Sequence, residues 1–175
     1  MKSYNEKNII AIDGRLPKLG SNTFIDPDAR IMGDVRIGDN SSVWYGSLVK
    51  GEINPTEIGD ESVIADHCLI EDSKLGRRVL ISHGAILHRC TIEDEVLVGV
   101  GAIVLDGAYI ERGSIIGAGS LVTSNTRIPK ESIAIGQPAK VLRELRKEDK
   151  EYFQRALDEA FSKSKMYMRI FKKHL

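Results

Sequence analysis

The sequence predicts an all-β fold, a single-stranded parallel β-helix, followed by one C-terminal α-helix. Three observations support this prediction. Aliphatic residues recur every five or six positions from Ile25 to Ile128, and a small or β-branched residue follows most of them by four positions. From about Glu148 the apolar residues change to helical spacing, which indicates an amphipathic helix that covers apolar surface.

The aliphatic repeat fits short strands and excludes a helix. A period of six places successive apolar residues on opposite sides of a 3.6-residue turn, whereas residues i and i+4 of a strand point to the same side. The run resembles the left-handed β-helix of hexapeptide-repeat proteins, which uses three hexads per coil. Eighteen hexads then make about six coils. The hexads begin at Ile25, Ile31, Ile37, Val43, Val49, Ile58, Ile64, Ile70, Leu75, Ile81, Leu87, Ile92, Val98, Val104, Ile110, Ile116, Val122 and Ile128.

The chain divides into three parts on this interpretation. Residues 1–24 are irregular, with Pro17 and Gly20, and are placed to cap the first coil. Residues 25–139 form the β-helix, and residues 140–175 form the C-terminal helical segment. Caps are needed because a β-helix exposes unpaired strand edges at both ends.

Composition narrows the classes of partner. The chain of 175 residues has 25 Lys and Arg against 25 Asp and Glu, and it lacks a long block of like charge, so we expect no nucleic-acid partner. No apolar run approaches the roughly 18 residues that cross a bilayer, so we expect no membrane partner. The two cysteines make no disulfide framework and the N-terminus lacks a signal-peptide core, so we predict a cytoplasmic protein.

Stacking of the coils predicts a cluster of polar residues. Residues at equal places in successive coils lie about 4.8 Å apart. Glu71 and His88 each follow the first residue of the second hexad of their coil, so they are expected to be direct neighbours, with Lys50 one coil below. Asp66 and His83 share a place in the first hexad and are expected to stack in the same way.

The two histidines point to a metal site only if two chains meet. His83 and His88 are five residues apart, which separates their backbones by roughly 15 Å in an extended chain. Zinc binds imidazole nitrogen at about 2.0 Å, so one chain is not expected to close both histidines around one ion. A metal site therefore implies a homo-oligomer, most simply a homotrimer, in which Glu71 and His88 face His83 of the next subunit. Surface or hydrogen-bonded histidines are the alternative.

Three runs resemble the gamma-class carbonic anhydrase family, which also contains ferripyochelin-binding-protein-like members and proteins of phenylacetate and carnitine operons. They are SSVWYGSLVKGEINPTEIGD (41–60), SHGAILHRCTIEDEVLVGVGAIVLDGAYIERGSIIGAGSLV (82–122) and IGQPAKVLREL (135–145). The resemblance covers roughly residues 10–150 and implies a trimeric left-handed β-helix with zinc held at each subunit interface by three histidines. His83 and His88 match two of them, and Glu71 stands at the place of the third.

Other positions also depart from the family pattern. The family's Arg-Gly-Asp, whose charges pair between subunits, is Lys50-Gly51-Glu52 here, and the acidic proton-shuttle residue corresponds to Ile53. Ala65 replaces a glutamine, although the following Asp66 is retained, and a family tyrosine is missing within residues 132–134. An anionic Glu71 ligand would also reduce the net charge of the ion. We therefore expect weak or no hydration of CO2.

Three functions are compatible with the sequence. The first is a carbonic-anhydrase-like lyase that uses zinc or another divalent metal on CO2 or bicarbonate, with His83, His88 and Glu71 as ligands and Asp66, Glu52 and Lys50 as catalytic candidates. The second is a non-catalytic trimeric scaffold in which Glu71 pairs with Lys50 and no metal binds. The third is an acyltransferase or thioesterase that uses a coenzyme A thioester, for which no extended acceptor-binding loop is visible.

Two further residues have simple structural interpretations. His67 falls at a turn place of its hexad and is expected to be solvated, and Cys90 is expected to fill space near a corner. Either could replace a metal ligand, but no metal-specific spacing requires it.

Overall fold

The computed structural model describes residues 6–171, which form short strands followed by one long helix. A 3-10 turn covers Glu6–Asn8 and the α-helix covers Lys147–Phe171. The strands are β1 Ile9–Ile10, β2 Lys18–Leu19, β3 Phe24–Ile25, β4 Arg30–Ile37, β5 Ser42–Val43, β6 Leu48–Ile58, β7 Val63–Ile64, β8 Leu69–Glu71, β9 Lys74–Leu75, β10 Leu80–Ile81, β11 Ile86–His88, β12 Thr91–Ile92, β13 Leu97–Val98, β14 Ile103–Val104, β15 Tyr109–Ile110, β16 Ile115–Ile116, β17 Leu121–Val122, β18 Arg127–Ile128, β19 Ser132–Gly136 and β20 Ala139–Glu144.

The strands stack in parallel on three faces of a prism, as the hexad pattern predicts. Strands of one face pair with the strand one turn earlier and one turn later, for example Leu80 with Val63 and with Leu97. The two long strands β4 and β6 each cross from the second face to the third. The parallel β-helix predicted from the sequence is therefore confirmed.

The interior is built from the hexad residues. All eighteen predicted aliphatic positions are buried, with exposed fractions of 0 to 4%. One neighbouring prediction is wrong: Thr91 was expected to fill the small inward place of its hexad, but Thr91 is only half-buried and Cys90, 3% exposed, fills it. That hexad is one residue short, so the inward place falls one residue earlier.

The prism has about seven turns, one more than the hexads predict. The additional strands precede and follow the repeat. β1 pairs with β4 through Ile9 and Ile31, and β2 pairs with β4 through Leu19 and Ile37. At the other end, β19 stacks on β16 and then pairs with the antiparallel β20, which covers that end of the prism.

The corners of the prism require left-handed backbone. Eleven non-glycine residues among those described have positive φ, including Asn40, His67 and Arg89. Gly46 shows two reasons for glycine at a corner. Its φ is +67°, and an added Cβ would overlap the His67 ring on the next turn. His67 thus lies at a turn, as its hexad place predicts.

The C-terminal helix covers the first face. The outward residues Phe24, Val63 and Leu97 of this face are buried in one cluster with Leu157 of the helix. The Trp44 indole N–H lies 3.1 Å from Oγ of both Ser42 and Ser164, so polar groups beneath the helix are also satisfied. The predicted amphipathic helix that covers apolar surface is confirmed, and it covers the prism of its own chain.

The other two faces differ in their outward residues. The third face, which we call the charged face, presents Lys18, Arg36, Glu57, Lys74, Thr91, Tyr109 and Arg127. The second face, which we call the apolar face, presents Leu48, Leu69, Ile86, Ile103 and Leu121. These five side chains are half-buried or exposed, and the helix lies on a different face.

Candidate interface site

The predicted rung of Lys50, Glu71 and His88 is present on the apolar face. Backbone register pairs Lys50 with Glu71 and Glu71 with His88 on three consecutive turns. Lys50 Nζ lies 3.1 Å from Glu71 Oε2, and His88 Nε2 lies 3.9 Å from Glu71 Oε1. The two oxygens of Glu71 therefore face different neighbours, one the ammonium group and one the imidazole.

Lys50 is a strongly held cation. Its side chain is 20% exposed, and it also lies 3.2 Å from Glu52 Oε2. Burial by itself lowers the pKa of Lys50, but hydrogen bonds to Glu71 and Glu52 outweigh it and place the pKa above the ordinary lysine value. In the single chain, Lys50 thus pairs with Glu52 two residues along its own strand.

His88 has a second partner that the sequence analysis missed. Its Nδ1 is hydrogen-bonded to Asp106 Oδ1, from the turn after β14. This hydrogen bond is the main reason that the pKa of Asp106 lies below its ordinary value, and the Arg89 guanidinium adds to the effect. Asp106 lies on the ladder next to that of Glu71 and His88, together with Asp72 and Arg89, so a comparison of adjacent ladders would have been needed to find it.

The second predicted pair, Asp66 and His83, is also present. The Asp66 backbone N–H donates to His83 Nδ1 at 3.3 Å, and Asp66 Oδ2 lies 3.1 Å from the same nitrogen. The His83 ring is 6.1 Å from Trp44 between centroids. Asp66 engages Nδ1 of His83, and Nε2 has no hydrogen-bond or ion-pair partner among the described residues.

The two histidines lie at opposite ends of one short stretch. His83 is in the turn before β11 and His88 is the last residue of β11. Between residues 6 and 171, the two rings share no hydrogen-bond or ion-pair partner, and no group of three or more His, Cys, Asp or Glu side chains is arranged to hold a metal ion. Within one chain, His83 and His88 therefore belong to two separate polar clusters.

The half-site of Glu71 and His88 suits a cation. An oxygen and an imidazole nitrogen are both ligands that zinc accepts, and here they face each other across two rungs. The other nitrogen of His88 is fixed by a carboxylate, as in many metal-binding histidines. These residues fit a divalent metal, provided that a further ligand comes from outside the chain.

The remaining candidates have structural roles. Cys68 and Cys90 are both free and buried, and burial is the main cause that raises the pKa of Cys68 to about 11 and that of Cys90 to about 12. His67 packs edge-on against the Tyr45 ring. Ile53, which stands at the place of the family's proton-shuttle residue, is 68% exposed.

Known proteins and solved structures match this chain along most of its length, and one family model matches two parts of it. The family described as bacterial transferase hexapeptide (six repeats) matches residues 17–51 and 89–124, and this repeat implies that the β-helix is left-handed, as predicted. The solved structure of a hexapeptide transferase family protein from Anaplasma phagocytophilum has a TM-score of 0.89 and 35% identity, and covers 93% of this chain and 99% of that one.

Two named relatives narrow the family further. Gamma carbonic anhydrase 2, mitochondrial, of Arabidopsis thaliana is 36% identical over 154 residues, and the match covers 82% of this chain. The chain spans 55% of the length of that protein. A carbonic anhydrase of Geobacillus kaustophilus is 36% identical over 159 residues, which cover 88% of this chain and 87% of the relative.

One relative is a mitochondrial protein, which matters for the predicted cytoplasmic location of this chain. No helix in the part of the chain described here has the length and apolar character to span a bilayer. Relatives occur in a mitochondrion as well as in a bacterium, so the cytoplasmic location stays a prediction. The repeat, the fold and a similarity over 87% of the length of a carbonic anhydrase agree: the chain belongs to the gamma-carbonic-anhydrase-like family of hexapeptide-repeat proteins.

Proposed function

We propose that this chain forms a homotrimer with a modified metal site at each subunit interface, and that it hydrates CO2 weakly or not at all. Glu71 and His88 of one subunit and His83 of a second subunit would hold zinc or another divalent ion. The observation that carries the proposal is the facing pair of Glu71 Oε1 and His88 Nε2, 3.9 Å apart, with the other nitrogen of His88 already anchored.

The apolar face supports the homo-oligomer. Three of its five aliphatic side chains, Leu48, Leu69 and Ile86, lie on the same strands as Lys50, Glu71 and His88, two residues earlier in each strand. Outward side chains at i and i+2 share one face, so a second chain packed on the aliphatic ladder would also approach the polar rung. Exposed apolar patches of this kind are typical of interaction surfaces. The helix-covered and charged faces offer no such ladder.

The residues of this chain have separate roles in the proposed site. Asp66 Oδ2, 3.1 Å from His83 Nδ1, is placed to accept a proton held on that nitrogen, and this tautomer would leave the lone pair of Nε2 for an interface partner. Lys50 holds Glu71 Oε2 and Glu52, which leaves the other oxygen of Glu71 towards His88. When bound, a divalent ion supplies Lewis-acid chemistry that makes an oxygen ligand more acidic.

Weak activity follows from the same residues. An anionic ligand at Glu71 lowers the net charge at the site, which reduces its power to acidify water. The exposed Ile53 side chain cannot transfer a proton, and Ala65 offers no hydrogen bond to a nucleophile. A site of this composition is expected to bind metal better than it turns over CO2.

Metal content and molar mass of the protein, purified without a histidine tag, test the proposal. We expect a trimer with about one zinc per chain, and His88→Ala should lose the metal but keep the trimer. A monomer, or a trimer with well under one metal per chain after zinc addition and dialysis, would contradict it. Stopped-flow hydration of CO2 measures the activity separately.

One alternative has structural support of its own. The ion pair between Lys50 and Glu71, at 3.1 Å, neutralises the carboxylate without any metal, as a non-catalytic trimeric scaffold requires. A trimer that excludes zinc and cobalt in the test above would favour this scaffold. For the acyltransferase alternative, whose support is the name of the Anaplasma relative, thermal-shift screening with coenzyme A thioesters is the test.

A further inference from the structure

The His88 imidazole lies between two carboxylates. Nδ1 is hydrogen-bonded to Asp106, and Nε2 points to Glu71 Oε1 at 3.9 Å. An ionised carboxylate has acceptors only, so the hydrogen bond to Asp106 requires a proton on Nδ1. Which nitrogen of a histidine binds another group is set by the hydrogen bond that the opposite nitrogen makes.

Asp106 is itself held in place by Arg89. Arg89 Nη1 lies 3.6 Å from Asp106 Oδ2, the oxygen that is not hydrogen-bonded to His88. Arg89 directly follows His88 in the chain, and its backbone N–H donates to the Glu71 carbonyl at 2.9 Å. His88 and Arg89, on the turn before that of Asp106, thus contact its two oxygens.

Arg89 is in turn fixed by a buried carboxylate. The Asp72 side chain is fully buried, and its Oδ1 accepts the Glu52 backbone N–H at 2.9 Å. Its Oδ2 has no hydrogen-bond partner among the described residues, and the closest charged group to it is Arg89 Nε at 3.7 Å. A buried carboxylate oxygen without a hydrogen bond is costly, so the Arg89 guanidinium is favoured near Oδ2 of Asp72.

We propose that Asp106 is a positioning residue that fixes the tautomer of His88, with the proton on Nδ1 and the lone pair of Nε2 directed to Glu71, and that Arg89 and Asp72 hold Asp106 in place. That this arrangement prepares His88 as a metal ligand rests on the proposed function. The tautomer itself does not depend on that function, because all four residues belong to one chain and the arrangement is complete without metal. Free neutral imidazole favours the opposite tautomer, so the effect is measurable.

Nitrogen-15 NMR of the histidine rings tests the inference in chelator-treated protein at pH 8, with the His88 signal assigned from His88→Gln. We expect Nδ1 to carry the ring proton in the unmodified protein. Asp106→Asn keeps an acceptor oxygen and should retain this tautomer, whereas Asp106→Ala should shift the ring to the Nε2-protonated form. A His88 ring with Nε2 protonated in the unmodified protein, or one unchanged by Asp106→Ala, overturns the proposal.

Asp94→Asn is a matched control. Asp94 is a half-buried corner aspartate that accepts the Arg77 backbone N–H at 2.8 Å and makes no contact with His88. This variant loses one charge from the prism but should leave the His88 spectrum unchanged, so general loosening of the fold is separated from positioning. A shift in Asp94→Asn equal to that in Asp106→Ala would count against a positioning role.

Zinc titration of the same variants separates this inference from the proposed function. Asp106→Ala should weaken zinc binding by about 10- to 100-fold, the usual effect of removing a carboxylate behind a histidine ligand. If the protein shows the expected tautomer but binds no zinc, the proposed function is contradicted and the positioning role of Asp106 stands. Zinc binding with unchanged affinity in Asp106→Ala would contradict the positioning role alone.

Discussion

Lys50 Nζ and Glu71 Oε2 lie 3.1 Å apart on adjacent turns of the prism, and both side chains are less than one-quarter exposed. The residue that departs from the family's histidine is thus paired with a cation of its own chain. The pair accounts for a stable carboxylate at this place without metal. A metal ion that binds Glu71 therefore competes with Lys50 for this carboxylate.

Lys50→Met should destabilise the protein in a pH-dependent way. The raised pKa of Lys50 means that its stabilisation is present below the unfolded lysine pKa, about 10.4, and is lost as pH rises through the folded pKa. Removing the cation leaves Glu71 partly desolvated, so we expect a loss of about 1–3 kcal/mol at pH 8. Urea unfolding at pH 8 and near pH 11 measures both values.

Lys74→Met is the control for this prediction, since Lys74 lies exposed on the charged face. Its effect on stability should be small at either pH. An equal loss for Lys50→Met at both pH values would show that the ion pair does not stabilise the fold.

Ile86→Glu should dissociate the homo-oligomer. Ile86 is 37% exposed at the centre of the apolar face, and a charge there would be buried without a partner when two subunits meet. Light scattering should report the mass of one chain, and zinc content should fall with it. Thr91→Glu, on the charged face, should keep the oligomer. If both variants keep it, the subunits do not meet through the apolar face.

Cys68 and Cys90 should resist alkylation in the folded protein. Burial raises their thiol pKa values to about 11 and about 12, so almost no reactive thiolate exists at pH 8. Mass spectrometry after iodoacetamide treatment should show no label until urea unfolds the chain, and then two labels per molecule. Rapid labelling of Cys90 before unfolding would show that it is accessible enough to act as a metal ligand.

Glu71→His should increase both zinc affinity and CO2 hydration if the site is intact but weakened by its carboxylate ligand. A neutral imidazole leaves more positive charge at the site and so favours the acidification of water. Glu57→His, on the charged face, adds a histidine away from His88 and should change neither quantity. Zinc affinity and hydration that stay at the original level in Glu71→His would favour the non-catalytic scaffold.

Sequence reasoning predicted those features that follow from strict periodicity. The hexads fixed which side chains face inward, and the stacking of Glu71 on His88 and of Asp66 on His83 followed from counting. β1 and β2 were missed because a two-residue strand outside the repeat carries no periodic signal. They owe their structure to pairing with β4, a tertiary effect.

Asp106 was missed for a different reason. It follows Leu105 at the second place after a hexad residue, whereas His88 occupies the first place after its own, so the two are not on one ladder. Their contact is diagonal: Asp106 lies at a corner of the prism, and His88 lies on the previous turn in the adjacent ladder. Alignment of coils identifies only residues that are direct neighbours on one ladder. A partner of His83 on a second chain cannot be identified from a pattern within one chain.

Subunit mixing tests the central claim, that His83 completes the site of a neighbouring chain. His83→Ala and His88→Ala each should bind no zinc alone. In trimers of the two coexpressed chains, about one-quarter of the interfaces pair an intact His83 with an intact Glu71 and His88, so about one-quarter of the zinc should return. Mixed trimers that bind no zinc at all, as expected for a site within one chain, would contradict the account.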